Sequence, residues 1–190
     1  MQATVGRRER KKEATREALI QAAYARFQER GFDAIPIEAI AEAADVSRRT
    51  FFRYFPTKEA IVFPRQAERL AFFRRLLEDA PPGMTGVRRA CMETAEAFAL
   101  AREEFMAQGR IIRRSHTLIA YEASLDVQWE DAVSTHLSQT MEPLQARLLA
   151  GGIMGLVRAV LRIWRGGDCR EDLEALGETA FALLIREETS

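Results

Sequence analysis

Hydrophobic positions recur at three- and four-residue intervals along most of the chain, a pattern typical of amphipathic helices. A first helix is predicted over residues 12–30, because Leu19, Ile20, Ala23 and Phe27 share one face. Gly31 follows, as expected after the C-terminus of a helix. The two-residue alternation of strands does not occur, so we predict an all-α fold of about nine helices.

Two shorter helices are predicted between residues 35 and 58. The first has apolar residues at helical spacing and is followed by a break at Ala44-Asp45-Val46. Ser47 is suited to cap the second helix, which turns Phe51 and Phe55 towards a core. Its other side carries arginine and hydroxyl side chains. Two helices joined in this way, the second with a basic outer face, are typical of a helix-turn-helix that binds DNA.

This stretch resembles the DNA-binding signature of the TetR family of transcriptional regulators. The match covers about the first third of the chain. The residues that carry it are Gly31-Phe32-Asp33, Ile40-Ala41, Ala43-Ala44, Val46-Ser47, Thr50-Phe51, Arg53-Tyr54-Phe55 and Lys58-Glu59. The resemblance implies a helix-turn-helix domain over residues 1–60 and a helical regulatory and dimerisation domain over residues 61–190. Pro36, Asp45 and Phe52 depart from the family pattern, which commonly has threonine, glycine and tyrosine at these positions.

The second helix of the pair supplies most of the expected DNA contacts. Arg48 and Arg49 are expected to reach base edges, because the arginine fork matches guanine in the major groove. For either arginine alone, a phosphate contact is the alternative. The hydroxyl groups of Thr50 and Tyr54 and the amine of Lys58 are expected to contact phosphate. The whole predicted set is Ser47, Arg48, Arg49, Thr50, Phe52, Tyr54 and Lys58.

Charge is unevenly distributed although the net charge of the chain is zero, with 28 basic and 28 acidic residues. Through Lys58 there are 12 basic and 8 acidic residues, and the remainder has 16 and 20. Only the N-terminal third is therefore expected to face phosphate. Residues 1–12 are predicted to form a flexible basic arm, either a solubilising tail or an extra contact to DNA.

The remainder of the chain is predicted to be a helical body that begins after a break at Ala80-Pro81-Pro82-Gly83. Its five helices are predicted over residues 87–108, 110–115, 116–141, 143–165 and 172–187. Aromatic, apolar and a few polar residues suggest a pocket for a mostly apolar small molecule, and plain core packing is the alternative. The predicted pocket residues are Met92, Glu96, Phe98, Phe105, Ile112, His116, Tyr121 and Trp129.

The last two helices have broad apolar coverage, more than the bundle of one subunit needs. Gly151, Gly152 and Gly155 suggest the close approach of another helix, and a helix interrupted at Gly151-Gly152 is the alternative. In the TetR family the two terminal helices pair with their copies, which implies a homodimer on a near-palindromic DNA site. The implied interface residues are Leu144, Leu148, Gly151, Gly155, Leu173, Leu176, Ala180, Phe181 and Leu184.

Other classes of function find little support in the sequence. No catalytic set, metal-ligand spacing, cofactor motif or apolar run of about 18 residues stands out, so no enzyme, metal or cofactor is predicted and a cytoplasmic location is expected. Cys91 and Cys169 are expected to be core or surface thiols, with redox sensing as the alternative. The resemblance to the TetR family implies a DNA-binding repressor released by a small, mostly apolar ligand. An activator, a co-repressor-dependent regulator, or a helical small-molecule-binding protein without DNA binding are the alternatives.

Overall fold

The computed structural model describes residues 6–185, the side chain of Ile185 excepted, and this part of the chain is helical without strands. The all-α prediction is therefore confirmed. The nine α-helices are α1 (Arg7–Arg30), α2 (Ile37–Ala43), α3 (Arg48–Tyr54), α4 (Gln66–Glu78), α5 (Met84–Leu100), α6 (Arg102–Ile112), α7 (His116–Leu137), α8 (Pro143–Gly166) and α9 (Leu173–Ile185). A 3-10 turn over Glu59–Val62 lies between α3 and α4.

Contacts divide the chain into two compact units. The head comprises the chain up to Pro64 together with Arg110–Ile119, and the body comprises Arg65–Gly109 and the chain from Ala120 onwards. The predicted border at residue 60 is thus four residues early and omits a whole segment of the head. One contact that ties this segment to the head is the hydrogen bond from Ser115 Oγ to Asp33 Oδ1 at 3.2 Å. The two residues are 82 positions apart, so the sequence pattern does not reveal the contact.

The head has a core built on the stripe of α1. Leu19, Ile20, Ala23 and Phe27 are all buried, as their spacing predicts. Gly31 ends α1 with a φ of 82° and a ψ of 153°, a region open mainly to glycine. Its positive φ matches the expectation, but its ψ is extended and not left-handed helical.

The first turns of α1 correct the prediction for the basic arm. Helix α1 begins at Arg7, with the Arg10 amide donating to the Gly6 carbonyl at 3.1 Å. Residues 7–12 are therefore helical, because arginine, lysine and glutamate are strong helix formers and Glu9 pairs with Lys12. Residues 1–5 of the predicted arm lie outside the described residues.

Pro64 precedes the fourth helix, because a proline in the interior of a helix removes a backbone hydrogen bond. Before it, Thr57 Oγ1 accepts a hydrogen bond from the Ala60 amide of the 3-10 turn at 3.2 Å. Ile61 and Val62 in this turn have no exposed surface. The turn therefore completes the core of the head, and α4 begins only at Gln66.

In the body, α9 packs on α5 and α8, and α4 packs on α5. The predicted break at Gly109 is wrong: Gly109 lies within α6, and the break is at Ala101. A Cβ on Gly109 would lie 3.0 Å from the Cβ of Arg165. Gly109 therefore serves close packing against α8 and does not end a helix. The acidic Glu103 and Glu104 in the first turn of α6 favour a helix start there.

Helix α8 is continuous through Gly151 and Gly152, so the interrupted helix is excluded. The helix is long and apolar enough to cross a membrane by length and composition, a test that core helices also pass. Its most apolar window has a mean hydropathy of 1.4, yet only 22% of that window is buried in the chain. Much apolar surface of α8 is therefore left uncovered by its own subunit.

Candidate nucleic-acid interface

The turn between α2 and α3 is held by backbone bonds and one left-handed residue. The Val46 amide donates to the Ala41 carbonyl at 2.9 Å, and the Asp45 amide donates to Glu42 at 3.0 Å. Asp45 has a φ of 52°, a conformation that aspartate tolerates better than most residues. The departure from glycine at this position therefore leaves the turn intact.

Ser47 caps α3, as predicted. Its Oγ accepts a hydrogen bond from the Thr50 amide at 3.1 Å and lies 3.0 Å from the Thr50 hydroxyl. Pro36 occupies the corresponding position before α2 without a side-chain cap. The second helix of the pair is therefore the better anchored at its N-terminus.

Four exposed side chains form the outer face of α3, which we call the arginine patch: Arg48, Arg49, Phe52 and Arg53. They stand at positions i, i+1, i+4 and i+5, so they are neighbours on the helix surface. On the opposite side Phe51 is fully buried and its ring lies 5.9 Å from that of Phe55. The predicted set omitted Arg53, although its four-residue spacing from Arg49 could have indicated it.

Arg48 has two partners within the head. Its Nη1 lies 3.1 Å from Glu38 Oε1 of α2, and its guanidinium carbon lies 5.5 Å from the centre of the Phe52 ring. Both partners of the ion pair are exposed, and such pairs contribute about 0–1 kcal/mol. The ion pair therefore orients Arg48, and little free energy is lost when Arg48 leaves Glu38 to bind an acceptor on a nucleic acid.

Three of the other predicted DNA residues, Thr50, Tyr54 and Lys58, are less exposed. Thr50 and Tyr54 are half-buried, with the Arg53 guanidinium 5.2 Å from the Tyr54 ring. Lys58 Nζ donates to the Phe32 carbonyl at 2.6 Å and lies 4.1 Å from the centre of the Phe32 ring. Burial lowers the pKa of Lys58, although Asp33 and Glu59 oppose the shift. Lys58 thus anchors the residues after α1, and its phosphate contact stays a prediction.

The predicted ligand pocket does not assemble as one group in the body. Phe98, Phe105 and Trp129 do meet, with ring centres 4.6 Å apart for Phe98–Phe105 and 6.4 Å for Phe98–Trp129. Glu96 is exposed on α5, and Met92 packs on Gly177. Tyr121 is half-buried on α7, whereas Ile112 and His116 belong to the head.

The predicted interface residues also divide into two groups. Leu144 and Leu148 are 71% and 69% exposed, and Gly155 faces open space. Leu173, Ala180 and Phe181 are instead buried by their own chain, because α9 packs on α5 and α8. Leu176 and Leu184 are half-buried against the core of the body, and Gly151 faces Glu130. Gly152 is also exposed, and Ile163 and Leu183 are exposed residues that the sequence did not single out.

The two cysteines are held as thiols. Burial raises the pKa of Cys91 to about 12, and burial also raises the pKa of Cys169. A protonated thiol is a poor nucleophile, so the structure offers no support for redox sensing. Among the described residues no group of three or more histidine, cysteine or acidic side chains could hold a metal ion.

A helix-turn-helix with a capped second helix and an exposed arginine patch is typical of DNA-binding proteins. The family model "Bacterial regulatory proteins, tetR family" matches residues 19–63, which include this whole motif. Among curated proteins, the HTH-type transcriptional regulator TcmR of Streptomyces glaucescens is 33% identical over 124 residues. That match covers 60% of the chain and 55% of TcmR, so the chain spans about half the length of this relative.

Solved structures share the fold of the whole chain. NalD of Pseudomonas aeruginosa, the secondary repressor of a multidrug efflux pump, has a TM-score of 0.67 at 16% identity, covering 93% of this chain and 96% of NalD. FadR of Thermus thermophilus, a repressor in complex with lauroyl-CoA, has a TM-score of 0.58 at 23% identity, covering 90% and 93%. Residues 19–63 thus match the tetR family of bacterial regulatory proteins, and the likeness to NalD and FadR is one of fold.

Proposed function

We propose that this chain is a cytoplasmic, homodimeric regulator that represses transcription from a near-palindromic operator until a small, mostly apolar molecule releases it. The observation that carries the proposal is the arginine patch on α3. Three arginines and an aromatic ring stand together on a seven-residue helix that Ser47 and the Asp45 turn hold in place. A helix presented in this way fits the major groove, where arginine reads guanine.

A second copy is the partner that best suits the uncovered face of α8. Leu144, Leu148, Gly152, Gly155 and Ile163 recur at helical spacing and are all exposed, and we call them the α8 stripe. Nothing lies within 4 Å of a Cβ built on Gly152 or Gly155, so another helix can approach closely there. Because α8 is one continuous helix, this stripe suits a two-fold pairing of α8 with its copy.

Release by a ligand is supported by two relatives and by an aromatic cluster in the body. Both structural relatives named above are repressors, and one holds an acyl-CoA. In the body of this chain, Phe98, Phe105 and Trp129 supply an aromatic cluster that could form part of a ligand site. A ligand that binds the free dimer more tightly than the DNA-bound dimer weakens DNA binding by the same factor.

Selection of bound duplexes from a random pool tests the DNA-binding proposal. We expect a near-palindromic site, and binding whose logarithm falls with the logarithm of salt concentration with a slope of roughly −0.9 per phosphate contacted. The double variant Arg48→Ala, Arg49→Ala should lose specific binding while it remains a folded dimer. Arg88→Ala, in an exposed ion pair of the body, is the matched control and should bind like the wild type. Enrichment without any palindrome, or full binding by the double variant, would refute the proposal.

A further inference from the structure

The body holds an arginine over an aromatic pair. The guanidinium carbon of Arg69 in α4 lies 4.2 Å from the centre of the Phe105 ring and 5.4 Å from that of Phe98. The Arg69 side chain is only 14% exposed. A desolvated cation over an aromatic face is attracted by the quadrupole of the ring, so these rings form a favourable site for positive charge.

A carboxylate completes this site. Arg69 Nη2 lies 3.0 Å from Glu104 Oε1, an oxygen without exposed surface that accepts no hydrogen bond. Arg65 Nε lies 3.6 Å from the other oxygen of Glu104, and the Arg65 side chain is 57% exposed. A buried carboxylate oxygen that relies on ionic contacts loses much if its cation leaves and is not replaced. Positive charge is therefore required beside Glu104.

The site opens onto a larger aromatic cluster of the body. The Phe98 ring lies 6.4 Å from Trp129, the Phe105 ring lies 5.6 Å from Trp164, and the Trp129 ring lies 5.0 Å from Phe73. Aromatic rings and a buried carboxylate oxygen are both suited to a cation that carries an apolar frame.

We propose that the effector is a lipophilic cation that takes the place of Arg69 between Phe98, Phe105 and Glu104. This inference rests on the proposed function, in which a ligand releases the regulator. In the free protein Arg69 acts as an internal competitor that keeps Glu104 neutralised. A ligand cation satisfies the same carboxylate and rings and adds apolar contacts with the cluster. Displacement of Arg69 frees α4 at its first turn, four residues after its N-cap Arg65.

Two ions of equal shape and opposite charge test this assignment. Tetraphenylphosphonium and tetraphenylborate are titrated into the full-length protein by calorimetry and by tryptophan fluorescence. The chain has two tryptophans, Trp129 and Trp164, and both belong to the aromatic cluster. We expect the phosphonium to bind and to change the fluorescence, and the borate to bind at least tenfold more weakly. Tighter binding of the borate, or equal binding of both, would refute the proposal.

Replacement of Arg69 is expected to strengthen ligand binding, although it removes a side chain from the site. Arg69→Met removes the internal competitor and should tighten phosphonium binding at least about fivefold. In the wild type Arg69 fills the site in most molecules, and the apparent affinity for the ligand is reduced to the fraction of molecules in which the site is free. Arg69→Lys keeps the competing charge and should resemble the wild type. Arg69→Met should also lower Tm, and the phosphonium should restore it, which a purely structural role of Arg69 does not predict. Unchanged or weaker binding by Arg69→Met would overturn the inference.

Glu104 and a distant arginine supply the remaining comparisons. Glu104→Gln should weaken phosphonium binding at least tenfold, whereas Arg88→Met in the exposed Arg88–Glu178 pair should have no effect. Operator binding, measured in parallel with the selected duplex, separates the two proposals. Specific DNA binding without any phosphonium binding refutes only the cation site. Phosphonium binding by a protein that selects no operator supports the cation site and refutes the regulator.

Discussion

Replacement of both Leu144 and Leu148 by serine tests whether the α8 stripe is covered by a second copy. These leucines are 71% and 69% exposed in the single chain, so their loss should leave the folded subunit almost unchanged. The dimer should suffer instead, because the same two positions occur on both copies and a two-fold interface therefore loses four leucines.

The magnitude follows from the exposed surface. Full burial of a leucine side chain is worth about 1.5–3 kcal/mol, and some 70% of each side chain is still available for burial. If the partner covers half of that remainder, each leucine contributes about 0.8 kcal/mol, and four contribute roughly 3 kcal/mol. The dissociation constant of the dimer should then rise more than about a hundredfold.

Sedimentation velocity over a range of protein concentrations measures the dissociation constant, and far-ultraviolet circular dichroism reports the fold. Leu100→Ser is the matched control, because Leu100 is 87% exposed at the end of α5 and lies outside the stripe. We expect the control to remain as dimeric as the wild type. A double variant that dimerises normally would contradict the pairing along α8, and one that unfolds would show that the stripe belongs to the core of the subunit.

Two further predictions concern local features. Ser47→Ala should reduce the free energy of unfolding by about 1 kcal/mol, a change of roughly 2–4 °C in Tm, because the Thr50 amide loses its cap. Ser47→Asn should retain most of the stability in thermal melts. Equal losses of stability in both variants would contradict a capping role of Ser47. The folded protein should react with a thiol-specific disulfide reagent at pH 8 at least about a hundredfold more slowly than free cysteine, because burial holds Cys91 and Cys169 protonated. Chemical unfolding should abolish that difference, and rapid labelling of the native protein would disprove it.

Local interactions explain why the helix-turn-helix was predictable from the sequence. The Ser47 cap, the left-handed Asp45 and the buried stripe of α1 each depend on residues within about one or two helical turns. Such features leave direct patterns of spacing and residue type in the sequence. The α1 start was missed because a cationic segment reads as disordered by composition, although its residues are also good helix formers.

The body was less predictable because its features depend on distant contacts. Gly109 resembles a helix break, but Arg165 packs against it from 56 residues away. Leu173 and Phe181 have the apolar spacing of interface residues, yet α5 and α8 of the same chain cover them. Periodicity shows that a face is covered but does not identify what covers it. Arg69 was overlooked for a similar reason, since its aromatic and acidic partners lie on later helices.

The contact between Asp33 and Ser115 has a consequence for how the protein is made. The head includes Arg110–Ile119, so its sequence is interrupted by more than forty residues of the body. During synthesis the helix-turn-helix emerges early, but the last part of its own unit leaves the ribosome only after those residues. A fragment that stops at Pro64 lacks the Ser115 hydroxyl that bonds Asp33. The DNA-reading unit can therefore be completed only once much of the body has been translated.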